Sequence, residues 1–179
     1  MKRYIALLRG INISGKNKIA MSDLKSCFIK HGFQDVVTWL NSGNVIFSTC
    51  EKDENVLTYE IEEMVKAQFG FAVSAYVILQ ECLKDLLKKA PEWWGQDHTE
   101  IYDNLIFVMP PSDAENIFAK IGEPTQELEQ VLICDHAIFW SFNRKKYAKA
   151  NWWKKTASAG IGEYITIRTA NTVKKIAEM

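Results

Sequence analysis

The chain has 179 residues, 47% of them apolar and 12% aromatic, enough for a substantial core, which excludes disorder and a metal-dependent miniature fold. Its 22 acidic and 22 basic residues balance to zero net charge, excluding a whole-surface nucleic-acid binder but leaving local patches open. The longest apolar runs are too short to span a bilayer, and Met1-Lys2-Arg3 leads into a strand-like segment, so the chain reads as cytoplasmic with no membrane partner.

In chain order, "RYIALLRG" is a short apolar strand ended by Gly10. Ser22-Asp23 offers a helix start, and Leu24, Cys27, Phe28 and His31 recur at helical spacing before Gly32. "DVVTWLNSGNVIFST" is two β-rich runs around Asn41-Ser42-Gly43-Asn44, a hairpin signal because Gly and Asn tolerate positive φ. Leu57, Ile61, Met64, Val65 and Gln68 mark a second helix ending near Gly70. "AVSAYVIL" is a fourth strand, and "QECLKDLLKKA" a trailing helix before Pro91.

The second half repeats this order. "NLIFVMP" is a strand, and Ser112 with Glu115 forms a capping box for a helix closed by Gly122. "EQVLICDHAIFWSF" turns at Asp135-His136. A shorter helical region spans Tyr147 to Lys154, then come strand "EYITIRT" and a last helix over residues 171–179. Residue identity between the halves is negligible, so the internal duplication is one of element order. A β-α-β-β-α-β string closes most simply as a ferredoxin-like split βαβ unit. The expected fold is α+β: two tandem ferredoxin-like subdomains packed together, 1–90 and 104–179, joined by a linker at 91–103. Trp93 and Trp94 read as packing material.

Residues 10–16 fit G-x-x-x-x-G-K, the pattern of a nucleotide-cradling phosphate loop, but Asn17 stands where Ser or Thr is required. A working loop needs its helix to begin at the lysine, whereas the first N-cap signal here is Ser22. The metal-binding hydroxyl is also absent, and the candidate metal aspartate, Asp135, sits at a hairpin turn. A different anion site follows from topology. In a split βαβ unit the third strand lies antiparallel beside the first, which brings Arg9, Asn12, Lys16, Asn17 and Lys18 near Asn41, Ser42 and Asn44. Three cations, several amides and Gly10 and Gly43 suit an anion. The competing reading is a solvated turn whose asparagines satisfy their own backbone, and both remain open.

A second candidate is "NRKKYAKANWWKK", residues 143–155, with Arg144, Lys145, Lys146, Tyr147, Lys149 and Trp152, Trp153 interleaved and no acid. Cations attract phosphates and aromatic faces stack on unpaired bases. The bland and preferred alternative is a solvated helix face with its aromatics turned inward. Cys27 and His31, with Cys134 and His136, have the residue types of a zinc site. Cys27 lies on an apolar helical stripe, however, and scattered cysteines without a C-x-x-C pair read as reduced, so neither metal nor cofactor is expected. No G-x-S-x-G, H-E-x-x-H or G-x-G-x-x-G motif occurs, and three histidines define no catalytic arrangement.

In "YIALLRGINISGKNKIAM", "TWLNSGNVIF", "PEWW", "AIFW" and "ITIRTANTVKKIAEM" the sequence resembles the bacterial family known as domain of unknown function 1697, over nearly the whole chain. The resemblance implies a two-part α+β protein and no stated activity. It also makes Asn17 the family's own pattern, not a decayed Ser or Thr. Members commonly close on a T-x-R-N-W-N-T-V-like stretch, whereas Arg168 is followed here by Thr169-Ala170-Asn171-Thr172-Val173, without the Trp. The expected partner is a phosphate-bearing small molecule or nucleic acid, bound at the Arg9–Lys18 loop and the Asn41–Asn44 turn. The alternatives are an enzyme acting on a small anionic substrate there, or a protein-interaction scaffold. The sequence carries no signal for oligomeric state.

Overall fold

The computed structural model describes residues 1–13, 15–50, 52–158 and 160–179. The fold is α+β, with two four-stranded antiparallel sheets and six α-helices among the described residues. The elements are β1 (Lys2–Arg9), α1 (Met21–Lys30), β2 (Gln34–Trp39), β3 (Asn44–Thr49), α2 (Glu54–Phe69), β4 (Ser74–Leu79) and α3 (Gln80–Lys88). The second series is β5 (Ile101–Val108), α4 (Ala114–Ile121), β6 (Glu129–Cys134), β7 (Ala137–Asn143), α5 (Asn151–Lys155), β8 (Ile165–Thr169) and α6 (Ala170–Glu178). One compact unit comprises residues 1–84 with 176–179, and the other residues 85–175.

In unit 1 the strand order is β2-β3-β1-β4, and β1 runs antiparallel to both neighbours, with Leu7 opposite Asn44 and Tyr76. Period-2 alternation puts Tyr4, Ala6, Leu8, Val45 and Phe47 in one core with Leu24, Cys27 and Phe28 of α1 and Leu57, Ile61 and Val65 of α2. Phe28, Phe33 and Phe47 form a ring cluster with centroids 4.7 to 5.4 Å apart. Ile5, Leu7 and Ile46, of the opposite parity, are also fully buried. That explains why β1 reads as one continuous apolar run.

In unit 2 the order is β6-β7-β5-β8, the same pattern with β5 in the place of β1. Ile106, Val108, Ile138, Trp140 and Phe142 pack with Ala114, Ile117 and Ile121 of α4 and with Trp152. On the other face the Trp94 ring meets Phe139 edge-on at 5.0 Å, and its Nε1–H donates to the Asn104 carbonyl at 2.7 Å.

Three local expectations change. The α1 N-cap is Ala20, not Ser22, and no side chain caps it. Asn12 clamps the Ile19 backbone through both its side-chain oxygen and nitrogen, so the chain enters the helix at once and Ser22 falls inside the first turn. The α4 cap is Asp113, whose carboxylate accepts the Asn116 N–H at 2.7 Å, in place of the Ser112–Glu115 box. The helical stretch 147–154 is broken at Ala150, which is extended (φ −72°, ψ 129°), into a 3₁₀ turn at Tyr147–Lys149 and the short α5.

Candidate functional site

The loop after β1 is built by its asparagines. Asn12 and Asn17 occupy the left-handed region (φ 55° and 48°), which Asn tolerates better than other side chains. The Asn12 Nδ2 donates to Ile19 O at 2.9 Å and to Asn41 O at 3.0 Å, and its Oδ1 accepts the Ile19 N–H. Asn17 Nδ2 donates to Gly10 O at 3.1 Å, and the Asn12 N–H to Asn17 O. The loop therefore folds back on itself and is stitched to the β2–β3 turn. In that turn Asn44 is fully buried and donates to Trp39 O and Ser42 Oγ, while Gly43 O accepts the Leu8 N–H at 2.8 Å.

These bonds separate two roles within the candidate set. Asn12, Asn17 and Asn44 spend their amides on the loop and the turn themselves. Lys16 and Lys18 are exposed and Arg9 is half-buried, and all three lack an ion-pair partner among the described residues. The chain has no acid before Asp23, so this edge is locally cationic. A pocket of about 460 Å³ opens here, walled by Asn12, Lys18, Ala20, Met21 and Asn41 among others. Because Ala20 cannot cap, the Met21 and Ser22 N–H groups have no acceptor among the described residues.

In unit 2 the segment 143–155 divides its aromatics. Trp152 is fully buried, its Nε1–H bonded to Gly122 O at 3.0 Å, which removes it from any ligand-stacking role. Tyr147 and Trp153 are 45% and 43% exposed, and their rings meet edge-to-face at 5.0 Å. Trp153 rests on Phe142 at 5.2 Å, and Phe142 on Tyr102 at 5.5 Å. The Arg144 guanidinium lies 4.7 Å above the Tyr102 ring. Lys145 pairs with Glu100 at 2.5 Å, whereas Lys146 and Lys149 make no ion pair among the described residues. Asp135, the paper candidate for a metal ligand, is bound to Lys89 at 2.7 Å. That pairing holds its carboxyl below the usual range, through the hydrogen bond first and the charge second.

A family model described as "Protein of unknown function (DUF1697)" matches residues 1–139. The chain belongs to this family. The structure of the conserved bacterial protein SP0830 from Streptococcus pneumoniae is similar to it over 99% of this chain and 97% of that chain, with TM-score 0.84 and 28% identity. None of the curated proteins matches the chain. The loop and turn of unit 1 lie wholly inside the part of this DUF1697 chain that the family model matches, and residues 143–155 lie outside it.

One group at these places is hidden from the sequence: the bare start of α1, because Ser22 imitates a cap. Of the two candidate rings Trp152 and Trp153, Trp153 is the exposed one. Neighbouring helical positions face about 100° apart, and Trp152 shares its inward stripe with Thr156, four residues on.

Proposed function

We propose that this DUF1697 protein binds a phosphate-bearing ligand at the loop-and-turn edge of unit 1. The observation that carries the reading is the pocket of about 460 Å³ walled by Lys18 and by the uncapped start of α1. Unbonded amides at a helix start attract anions through the N–H groups and the helix dipole together. Lys16 and Arg9 add charge at the same edge, and the self-bonded asparagines hold the loop's shape before any ligand arrives. Each unit is read as a ferredoxin-like split βαβ, supported by the placement of β1 and β5 second from one edge of their sheets. In this topology the end of the first strand and the start of the third meet, which is where loop and turn combine.

A thermal-shift panel of inorganic phosphate, pyrophosphate and nucleotides tests this at two salt concentrations. A ligand that binds the folded state raises the midpoint in proportion to RT ln(1 + [L]/Kd). The expected result is a salt-sensitive rise with at least one of these probes, abolished in the double variant Lys16→Ala, Lys18→Ala. A rise of equal size in that variant contradicts the reading.

A further inference from the structure

We propose that unit 2 binds unpaired nucleic-acid bases on the exposed Tyr147–Trp153 pair, with the strand's phosphates met by Arg144, Lys146, Lys149 and Lys154. Two independent features converge on this occupant. The first is the aromatic pair, held on a rigid base: Trp153 stands on buried Phe142, and its neighbour Trp152 is anchored by Gly122 and by the Glu129 carboxylate. Large rings left in water at 45% and 43% exposure, already fixed in orientation, suit stacking on other π-faces. The second is charge. From His136 to Gly162 the chain carries six cations and no acid. Of these, Lys145 is neutralised by Glu100, and Lys155 Nζ donates to Ile121 O at 2.7 Å. Arg144, Lys146, Lys149 and Lys154 have no ion-pair partner among the described residues.

An apolar protein partner would use the rings but not four cations, and a small anion would use the cations but not the rings. A nucleic-acid strand presents both groups at every residue. It must be single-stranded, because duplex bases hide their faces in the stack. Tyr102 and Arg144 also stand in the wall of a pocket of about 450 Å³, alongside Gln96, His98, Asp103 and Asn171. That volume suits one small ligand, and those side chains suit the polar edges of one base at the end of the stacked run. Asp103 is held there by Ser141 Oγ and by the Gly95 N–H, which leaves part of its acceptor capacity unused.

Fluorescence anisotropy on the full chain, with a labelled single strand of about 12 nucleotides and the duplex of the same sequence, tests the proposal. The expected result is binding of the single strand, weaker binding of the duplex, and affinity that falls with salt. Trp153→Ala is expected to weaken single-strand binding by roughly 5- to 100-fold. Trp153→Phe keeps most of it, and Lys146→Ala with Lys149→Ala flattens the salt dependence. In the background of the unit 1 double variant at Lys16 and Lys18, Trp153→Ala is expected to weaken single-strand binding by the same factor, which separates this site from the phosphate site. Equal binding of duplex and single strand, a Trp153→Ala isotherm identical to wild type, or loss of binding only in the unit 1 variant overturns the proposal.

Discussion

Glu129 concentrates the energetics of unit 2 in one buried carboxylate. It accepts the N–H groups of Thr125 at 2.9 Å, Asn151 at 2.8 Å and Trp152 at 3.0 Å, and the Trp140 indole N–H at 3.3 Å. It thereby caps α5, which has no cap of its own, from a different strand. Glu129→Ala leaves these donors without a charged acceptor in a dry site, so chemical denaturation should show a loss of about 3 kcal/mol or more. A loss within 0.5 kcal/mol, the range of about ±0.5 typical of surface changes, contradicts the assignment. In unit 1, burial first and the Glu54 carboxylate second push the Tyr76 phenol up to about 12, from an ordinary 10. A raised phenol contributes stability fully present below pH 10 and lost as pH climbs from about 10 to 12. Tyr76→Phe should remove part of the alkaline fall in stability, read as the difference between the two stability–pH curves. Superimposable slopes above pH 10 would refute it.

At the scale of elements, the β2–β3 turn is where sequence and geometry agree most closely. Gly43 has φ 78°, and a Cβ there would stand 2.8 Å from Leu8 Cβ and 2.9 Å from Ile11 Cδ1. Gly10, with φ 75°, has nothing within 4 Å. Gly43→Ala should therefore cost about 2–3 kcal/mol, combining backbone strain with overpacking, and Gly10→Ala only about 1 kcal/mol. Equal losses in the two thermal melts would mean that the close approach at Gly43 does not matter. The strands and most helices were legible because β1 is a short apolar run closed by Gly10, because the 3.6 period survives in α2 and α4, and because the Asn-Ser-Gly-Asn turn fixes the hairpin. The uncapped start of α1 was not, since it depends on Asn12 gripping Ile19 seven residues on. Nor was the split of residues 143–155, since the break at Ala150 follows from Glu129, 21 residues earlier in the chain. Edge protection was equally hidden: the outward N–H groups of Ala75 and Leu79 on β4 are taken by Glu62 and Glu54 of α2, at 2.8 and 2.6 Å. Those bonds leave that edge little capacity to recruit another strand.

For the molecule as a whole, zero net charge conceals two cationic places. One is the acid-free stretch before Asp23 and the other the acid-free stretch between Asp135 and Glu163. They fall in different units, and each combines cations with a pocket. Both chain ends belong to unit 1, where Arg3 Nη2 donates to Met179 O at 3.2 Å and Gln80 Nε2 to Ile176 O at 3.1 Å. Among the described residues no helix is long and apolar enough to cross a membrane. The most direct test of phosphate binding at the loop-and-turn edge is an amide chemical-shift titration of the isotopically labelled chain with pyrophosphate. Saturable shifts are expected at Asn12, residues 15–22 and Asn41. Shifts confined to unit 2, or none at saturating pyrophosphate, would contradict binding at this edge.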